Sequence, residues 1–168
     1  PPGAEPRRGG FFVESPLGRW HVMSMKTRTR ISLCMIAKNE AAFLADCLRS
    51  VRGVVHEMIV VDTGSTDDTV AIAEAEGAIV IHFPWCDDFA RARNAGVERA
   101  TGTHVLILDA DERLAPNMGQ NLLDAANNPR VLLGCLPLYN ASEMDADPEE
   151  VMSGAKQLGE LAFVPRLF

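Results

Sequence analysis

From Ile31 onward the chain alternates short, continuously apolar runs with segments of helical spacing. ISLCMIA (31–37) is a run of the length and character that forms a strand buried on both faces, and MIVV (58–61), AIVIH (78–82) and HVLIL (104–108) read as the strands that follow. Between the first two, AAFLADCLRSV places Phe43, Leu44, Cys47, Leu48 and Val51 at helical spacing. After MIVV the segment DTGSTDDT makes a turn. Ser65 or Thr66 is then the expected cap of a helix whose first turn holds Asp67 and Asp68 and which ends at Gly77. A loop from Phe83 to Asp88 leads into a helix over Ala90–Ala100, closed by Thr101-Gly102. The order is βαβαβαβ, which calls for right-handed crossovers and a mostly parallel sheet with helices on both faces. A further helix is expected between Pro116 and Asn127, and VLLGCLPLY and ELAFV read as later strands. Pro137 interrupts the first of these and places it at an edge. The polar, acidic stretch Ala141–Gly154 reads as an exposed loop.

Residues 1–24 differ from this body. They are rich in Pro, Gly and Arg, show neither helical nor strand periodicity, and are expected to form a mobile extension, with the folded domain running over 25–168. The first residue is proline, so Met23 or Met25 is the expected natural start. Charge divides the same way: residues 1–30 hold six basic and two acidic side chains, leaving ten basic against 21 acidic in the remainder. A net charge of -7 argues against nucleic acid as a partner, because phosphate neutralisation needs clustered Lys and Arg. At 168 residues, 47% of them hydrophobic, one α/β domain is the default. Cys34, Cys47, Cys86 and Cys135 form no C-x-x-C pair and read as reduced core residues, which points to a cytoplasmic protein. No apolar run approaches the roughly 18 residues that span a bilayer.

In open α/β sheets ligands gather at the carboxyl ends of the strands, and those positions are polar here. Ala37 is followed by Lys38, Asn39 and Glu40; the second strand runs into Asp62, Thr63, Gly64 and Ser65; the fourth into Asp109, Ala110, Asp111 and Glu112. If Asp109-Ala110-Asp111 is extended, its two carboxylates point the same way from Cα atoms about 6–7 Å apart. Two such groups suit Mg2+ or Mn2+, hard ions that take one or two protein carboxylates along with substrate phosphate oxygens. There is no G-x-x-x-x-G-K-[ST] or G-x-G-x-x-G phosphate loop, no G-x-S-x-G elbow, and no metal-ligand spacing among His21, His56, His82 and His104.

Four stretches, ISLCMIAKNE, IVVDTGSTDDT, FARARNAGVERATG and HVLILDADE, occur in the order and spacing of the family 2 glycosyltransferases. From about Ile31 to Glu112 the chain resembles their nucleotide-sugar-binding portion. The resemblance implies a GT-A, Rossmann-like α/β fold, incomplete at its C-terminus, and metal-dependent, inverting transfer of a sugar from a nucleoside-diphosphate donor, with UDP as the expected nucleotide. It places Asp62 on the base or ribose, Arg93 near the nucleotide and diphosphate, Asp111 on the metal, and Asp109 on ribose or metal. Ala37, Lys38, Asn39, Glu40, Gly64, Ser65 and Ala110 complete the donor-binding set that it implies. The acceptor, whether glycan, lipid or protein, is not specified.

Lys38 departs from the commoner pattern, in which an aromatic residue stacks on the base; Lys-Asn-Glu resembles one branch of the family instead. Trp85 either lies over a ligand or packs its loop down. Family members continue past the segment that PRLF (165–168) resembles, and the general base is expected beyond Phe168. Two rivals remain: a nucleotidyltransferase of related fold, which would carry a glycine-rich basic loop after the first strand, and a donor-binding or interaction module without turnover.

Overall fold

The computed structural model describes residues 10–14, 20–24, 29–116, 118–131, 134–138, 147, 150 and 162–168. Its strands are β1 (Gly10–Glu14), β2 (Trp20–Ser24), β3 (Ile31–Ala37), β4 (Glu57–Asp62), β5 (Ile79–His82), β6 (His104–Ile107), β7 (Gly134–Leu138) and β8 (Ala162–Leu167). The helices are α1 (Leu44–Val51), α2 (Thr69–Ala75), α3 (Phe89–Arg99) and α4 (Met118–Asn127).

Strand β3 is apolar along almost its whole length because both of its faces are covered. Ile31, Leu33, Met35 and Ala37 join one buried cluster with Leu44, Cys47, Leu48 and Val51 of α1, Ala73 of α2, and Leu122 and Ala126 of α4. Cys34 points the other way, with Ile59 and Ile107, into a smaller cluster. Helix α3 packs on that second face, and Gly96 permits its close approach: a Cβ there would meet Val61 at 3.0 Å and Cys34 at 3.6 Å. Helices therefore lie on both faces, as the alternation predicts.

The six-stranded sheet has the order β5-β4-β3-β6-β8-β7. The contacts β3–β4, β3–β6 and β4–β5 are parallel, while β6–β8 and β7–β8 are antiparallel. Strand β7, with Pro137, is at the edge, where a missing N–H is tolerated. Strand β8 is held to β6 by reciprocal bonds: Val105 N–H donates to Phe168 C=O at 2.8 Å, and Phe168 N–H to Val105 C=O at 2.9 Å.

The head departs from its reading. Residues 10–24 show no strand alternation, yet Gly10–Glu14 and Trp20–Ser24 pair antiparallel as a two-stranded sheet. Aromatic and β-branched residues in GFFVE and WHVMS, separated by a stretch containing Pro16 and Gly18, supply the hairpin signal that periodicity missed. The predicted loop Ala141–Gly154 falls, apart from residues 147 and 150, outside the described residues. Cys34 and Cys47 are buried free thiols, which burial pushes up to about 11 and about 12. Cys86 is exposed, a departure from the expected core position that follows from its place in the loop between β5 and α3. Among the described residues no helix is long and apolar enough to cross a membrane.

Candidate functional site

The parallel register puts Ala37 beside Asp62, and Asp62 beside His82, in one row at the carboxyl edge of the sheet. Here the loops after β3 and β4 are tied together. Thr63 N–H donates to Ala37 C=O at 3.0 Å. Asn39 stands in the left-handed region at φ 59°, which Asn adopts more readily than most residues. Its backbone N–H donates to Ser65 Oγ at 3.0 Å, and its side-chain Oδ1 accepts from Thr66 N–H at 2.7 Å. Glu40 N–H donates to Thr69 Oγ1 at 2.8 Å, and Ala41 N–H to Asp67 Oδ2 at 3.2 Å. Asn39 and the acids of DTGSTDDT thus build the loops that form the edge.

This arrangement corrects the predicted helix cap. Ser65 and Thr66 serve Asn39; α2 begins at Thr69, and Asp67 Oδ1 accepts from Thr69 N–H at 3.0 Å. The extra residues are consumed by the turn, in which Gly64 takes φ 104°.

Asp62 is 5% exposed and closes that turn. Its carboxylate accepts from Ser65 N–H at 3.0 Å and Gly64 N–H at 3.4 Å, with His82 Nδ1 3.4 Å away. Burial alone pushes this carboxyl up, but the hydrogen bonds from Ser65, His82 and Gly64 outweigh it and hold Asp62 below its ordinary range. Lys38 is exposed and makes no hydrogen bond or ion pair among the described residues.

The acids after β6 form a different structure. Strand β6 ends at Ile107, and Asp109–Glu112 folds into a turn in which Glu112 N–H donates to Asp109 C=O at 3.0 Å. Glu112 Oε2 in turn accepts from Asp109 N–H at 2.9 Å. The extended Asp109-Ala110-Asp111 segment assumed above is therefore corrected: Glu112 satisfies the backbone locally and curls the chain, with Ala110 buried at its centre. Helix α1 supports the turn, since Cys47 Sγ donates to Asp109 C=O at 3.5 Å and Ser50 Oγ accepts from Leu114 N–H at 3.0 Å.

Two arginines reach this turn. Arg93 of α3 lies 4.0 Å from Asp109 Oδ1. Arg166 of β8 donates to Asp109 Oδ2 at 3.3 Å and to Glu112 Oε1. Sequence reasoning missed Arg166 and gave Glu112 no role. The signal was faint: an Arg in the apolar strand AFVPRL, a charge that needs a partner if it is buried. Asp111 is exposed and makes no hydrogen bond or ion pair among the described residues.

The carboxylates fit a divalent cation that completes its shell elsewhere. Among the described residues no three His, Cys, Asp or Glu side chains form a ready cage. One free carboxylate at Asp111, with Asp109 beside it, matches a hard ion that takes further oxygens from water and phosphate. Partial burial, and then the charges of Asp111, Asp67 and Asp109, push the Glu40 carboxyl above its ordinary range.

The loop between β5 and α3 flanks the edge. Trp85 Nε1 donates to Asp87 Oδ1 at 2.8 Å, and its ring meets Phe89 edge-on with centroids 4.6 Å apart. Trp85 thus packs its own loop, while Phe89 stays 70% exposed one helical turn before Arg93. An open cavity of about 1110 Å³, bordered by Arg30, Val55, His56 and Leu123, lies at the amino-terminal end of the strands, away from these residues.

The model of the Glycosyl transferase family 2 matches residues 32–159. A TPR repeat-containing protein of Synechococcus elongatus is 47% identical over 103 residues, covering 61% of this chain and 26% of the relative. An uncharacterized glycosyltransferase of Rickettsia felis is 44% identical over 89 residues, covering 53% of this chain and 31% of the relative. The chain thus spans between a quarter and a third of the length of these two relatives. Among solved structures, S. aureus TarS superposes with a TM-score of 0.54 at 19% identity, over 68% of this chain and 36% of that one, a likeness of fold. Glucosyl-3-phosphoglycerate synthase from Mycobacterium tuberculosis, in complex with Mn2+, UDP-glucose and phosphoglyceric acid, superposes with a TM-score of 0.51 at 28% identity. That match covers 62% of this chain and 42% of the synthase.

Proposed function

The chain belongs to glycosyl transferase family 2, and on that premise we propose that its polar sheet edge holds a nucleoside-diphosphate sugar, with UDP as the nucleotide, for metal-dependent transfer to an acceptor. The observation that carries this reading is the meeting of three separate elements at one edge: the Asp62 turn, Arg93 and the Asp109–Glu112 turn, with Arg93 4.0 Å from Asp109.

Asp62, fixed by its own loop, is the acid assigned to the base or ribose. Asn39, Gly64 and Ser65 hold the backbone around it, and Ala37 and Glu40 form the floor. Arg93 is 45% exposed and loosely held, free to turn to the diphosphate. Asp111 is the carboxylate available to Mn2+ or Mg2+, with Asp109 in support. When bound, such an ion supplies Lewis-acid stabilisation of negative charge on the departing diphosphate. The synthase bound to Mn2+ and UDP-glucose supports this choice of metal and nucleotide. Transfer by single displacement with inversion is the accompanying expectation. No residue of this chain is assigned as the base that deprotonates the acceptor.

Calorimetric titration of the 168-residue chain with UDP, with and without Mn2+, tests the reading. We expect binding that the metal strengthens. A folded chain that binds no UDP, or whose UDP affinity ignores both Mn2+ and Mg2+, would contradict it.

A further inference from the structure

Arg166 is out of place by its surroundings. It lies in β8, its side chain is 12% exposed, and it donates to both Glu112 and Asp109, the former with an exposure of only 12% as well. The two acids are contributed by the turn that follows β6, more than fifty positions earlier in the chain. Arg93 is the weaker contact, at 4.0 Å and half exposed. The paired strands β6 and β8, locked by Val105 and Phe168, carry Arg166 and the turn to the same place. Of the three acids in the turn, one is therefore neutralised outright, one is shared between two guanidiniums, and Asp111 is left open.

From this we infer that Arg166 is the turn's resident counter-cation, which withholds Glu112 and part of Asp109 from metal and makes metal capture depend on a bound diphosphate. The argument is Coulombic. A fixed positive charge beside the carboxylates lowers the attraction of the turn for a second cation, and the effect is large where water is partly excluded. With Arg166 in place, Asp111 alone holds an ion weakly, and the diphosphate oxygens must supply the missing negative charge. Arg166 acts through the acids and is a positioning residue. This inference rests on the metal and diphosphate reading proposed above.

Manganese titration of the full chain, followed by the electron paramagnetic resonance signal of free Mn2+, tests it without any turnover. The wild-type chain should bind Mn2+ weakly alone and more tightly with UDP. Arg166→Gln should bind Mn2+ without nucleotide about tenfold more tightly than wild type, since Glu112 and part of Asp109 are released to the ion. Arg166→Lys, which keeps the charge, should stay near the wild-type value. Circular dichroism reports folding, and Arg166→Met, which keeps the aliphatic stem, replaces the Gln variant if that does not fold. Nucleotide-free affinity that fails to rise in the Gln or Met variant overturns the inference, as does a Lys variant that rises equally. If wild-type Mn2+ binding does not respond to UDP at all, the metal reading of the site fails, an outcome visible in the wild-type titration alone.

Discussion

The loops after β3 and β4 and the turn after β6 share one edge of one sheet but satisfy their polar groups differently. In the first region Asn39, Asp62, Ser65, Thr66, Asp67 and Thr69 bond chiefly to one another and to backbone, and Asp62 is buried to 5% exposure. In the second, three acids crowd within four positions, two draw on arginines from distant elements, and Asp111 has no partner among the described residues. Hydrogen-bonded loops of the first kind are preorganised and contribute to stability whether or not a ligand is present. A turn of the second kind is held by its arginines and local bonds, but one of its charges, Asp111, is left unbalanced. On the proposed function, the nucleoside half of the edge would be built into the fold and the diphosphate half completed by what binds.

Substitutions should separate the two regions. The largest effect is expected at Asp111→Ala: affinity for UDP in the presence of Mn2+ should fall roughly 100-fold, as for loss of a metal ligand, with stability unchanged to within about 0.5 kcal/mol. Calorimetry and thermal unfolding on the same samples check both halves of that statement. Asp62→Ala should act on stability as well as on nucleotide affinity, destabilising the chain by about 2 kcal/mol because the N–H groups of Gly64 and Ser65 lose their acceptor. Urea unfolding measures it, and an unchanged midpoint would mean that the first region is not preorganised. Asn39→Ala should cost about 1 kcal/mol through the lost bonds from Thr66 and the left-handed backbone at φ 59°; Asn39→Gly, which relieves the backbone, should cost less.

The smallest effect is that of pH. The folded Asp62 carboxyl lies below its ordinary value of 3.8. Its contribution to stability is therefore complete above that value and is lost as pH falls through the lower folded value, because the unfolded state takes up the proton first. Thermal unfolding between pH 5 and pH 2 should show a decline that is shallower in Asp62→Asn. An equal decline in both proteins would remove Asp62 from the account.

Much of the fold could be read from the sequence because its signals are local. The buried strands β3 and β4 and the less covered β5 and β6 are continuous apolar runs, and α1 and α4 carry their apolar faces at helical spacing. Positions at the strand ends identified the edge for the same reason. What could not be read depends on contacts between distant residues or on turns without periodicity. Arg166 meets Asp109 across 57 positions, a pairing that no local pattern encodes. Asp109-Ala110-Asp111 looked extended because it follows a strand, but Glu112 reaches back to Asp109 N–H and curls it. Ser65 and Thr66 have the chemistry of helix caps, and only the neighbouring loop shows that Asn39 has claimed them. The hairpin of β1 and β2 is similar: its strands are too short for alternation to stand out.

The separation of the edge into two halves is tested most directly by comparing UDP with UMP in calorimetric titrations of the wild-type chain, each with and without Mn2+. On the proposed function both nucleotides would engage the built region, and only UDP would offer a diphosphate to the charged turn. The account predicts that Mn2+ strengthens binding of UDP about tenfold or more while changing that of UMP much less. Equal strengthening of both nucleotides, or of neither, would contradict it.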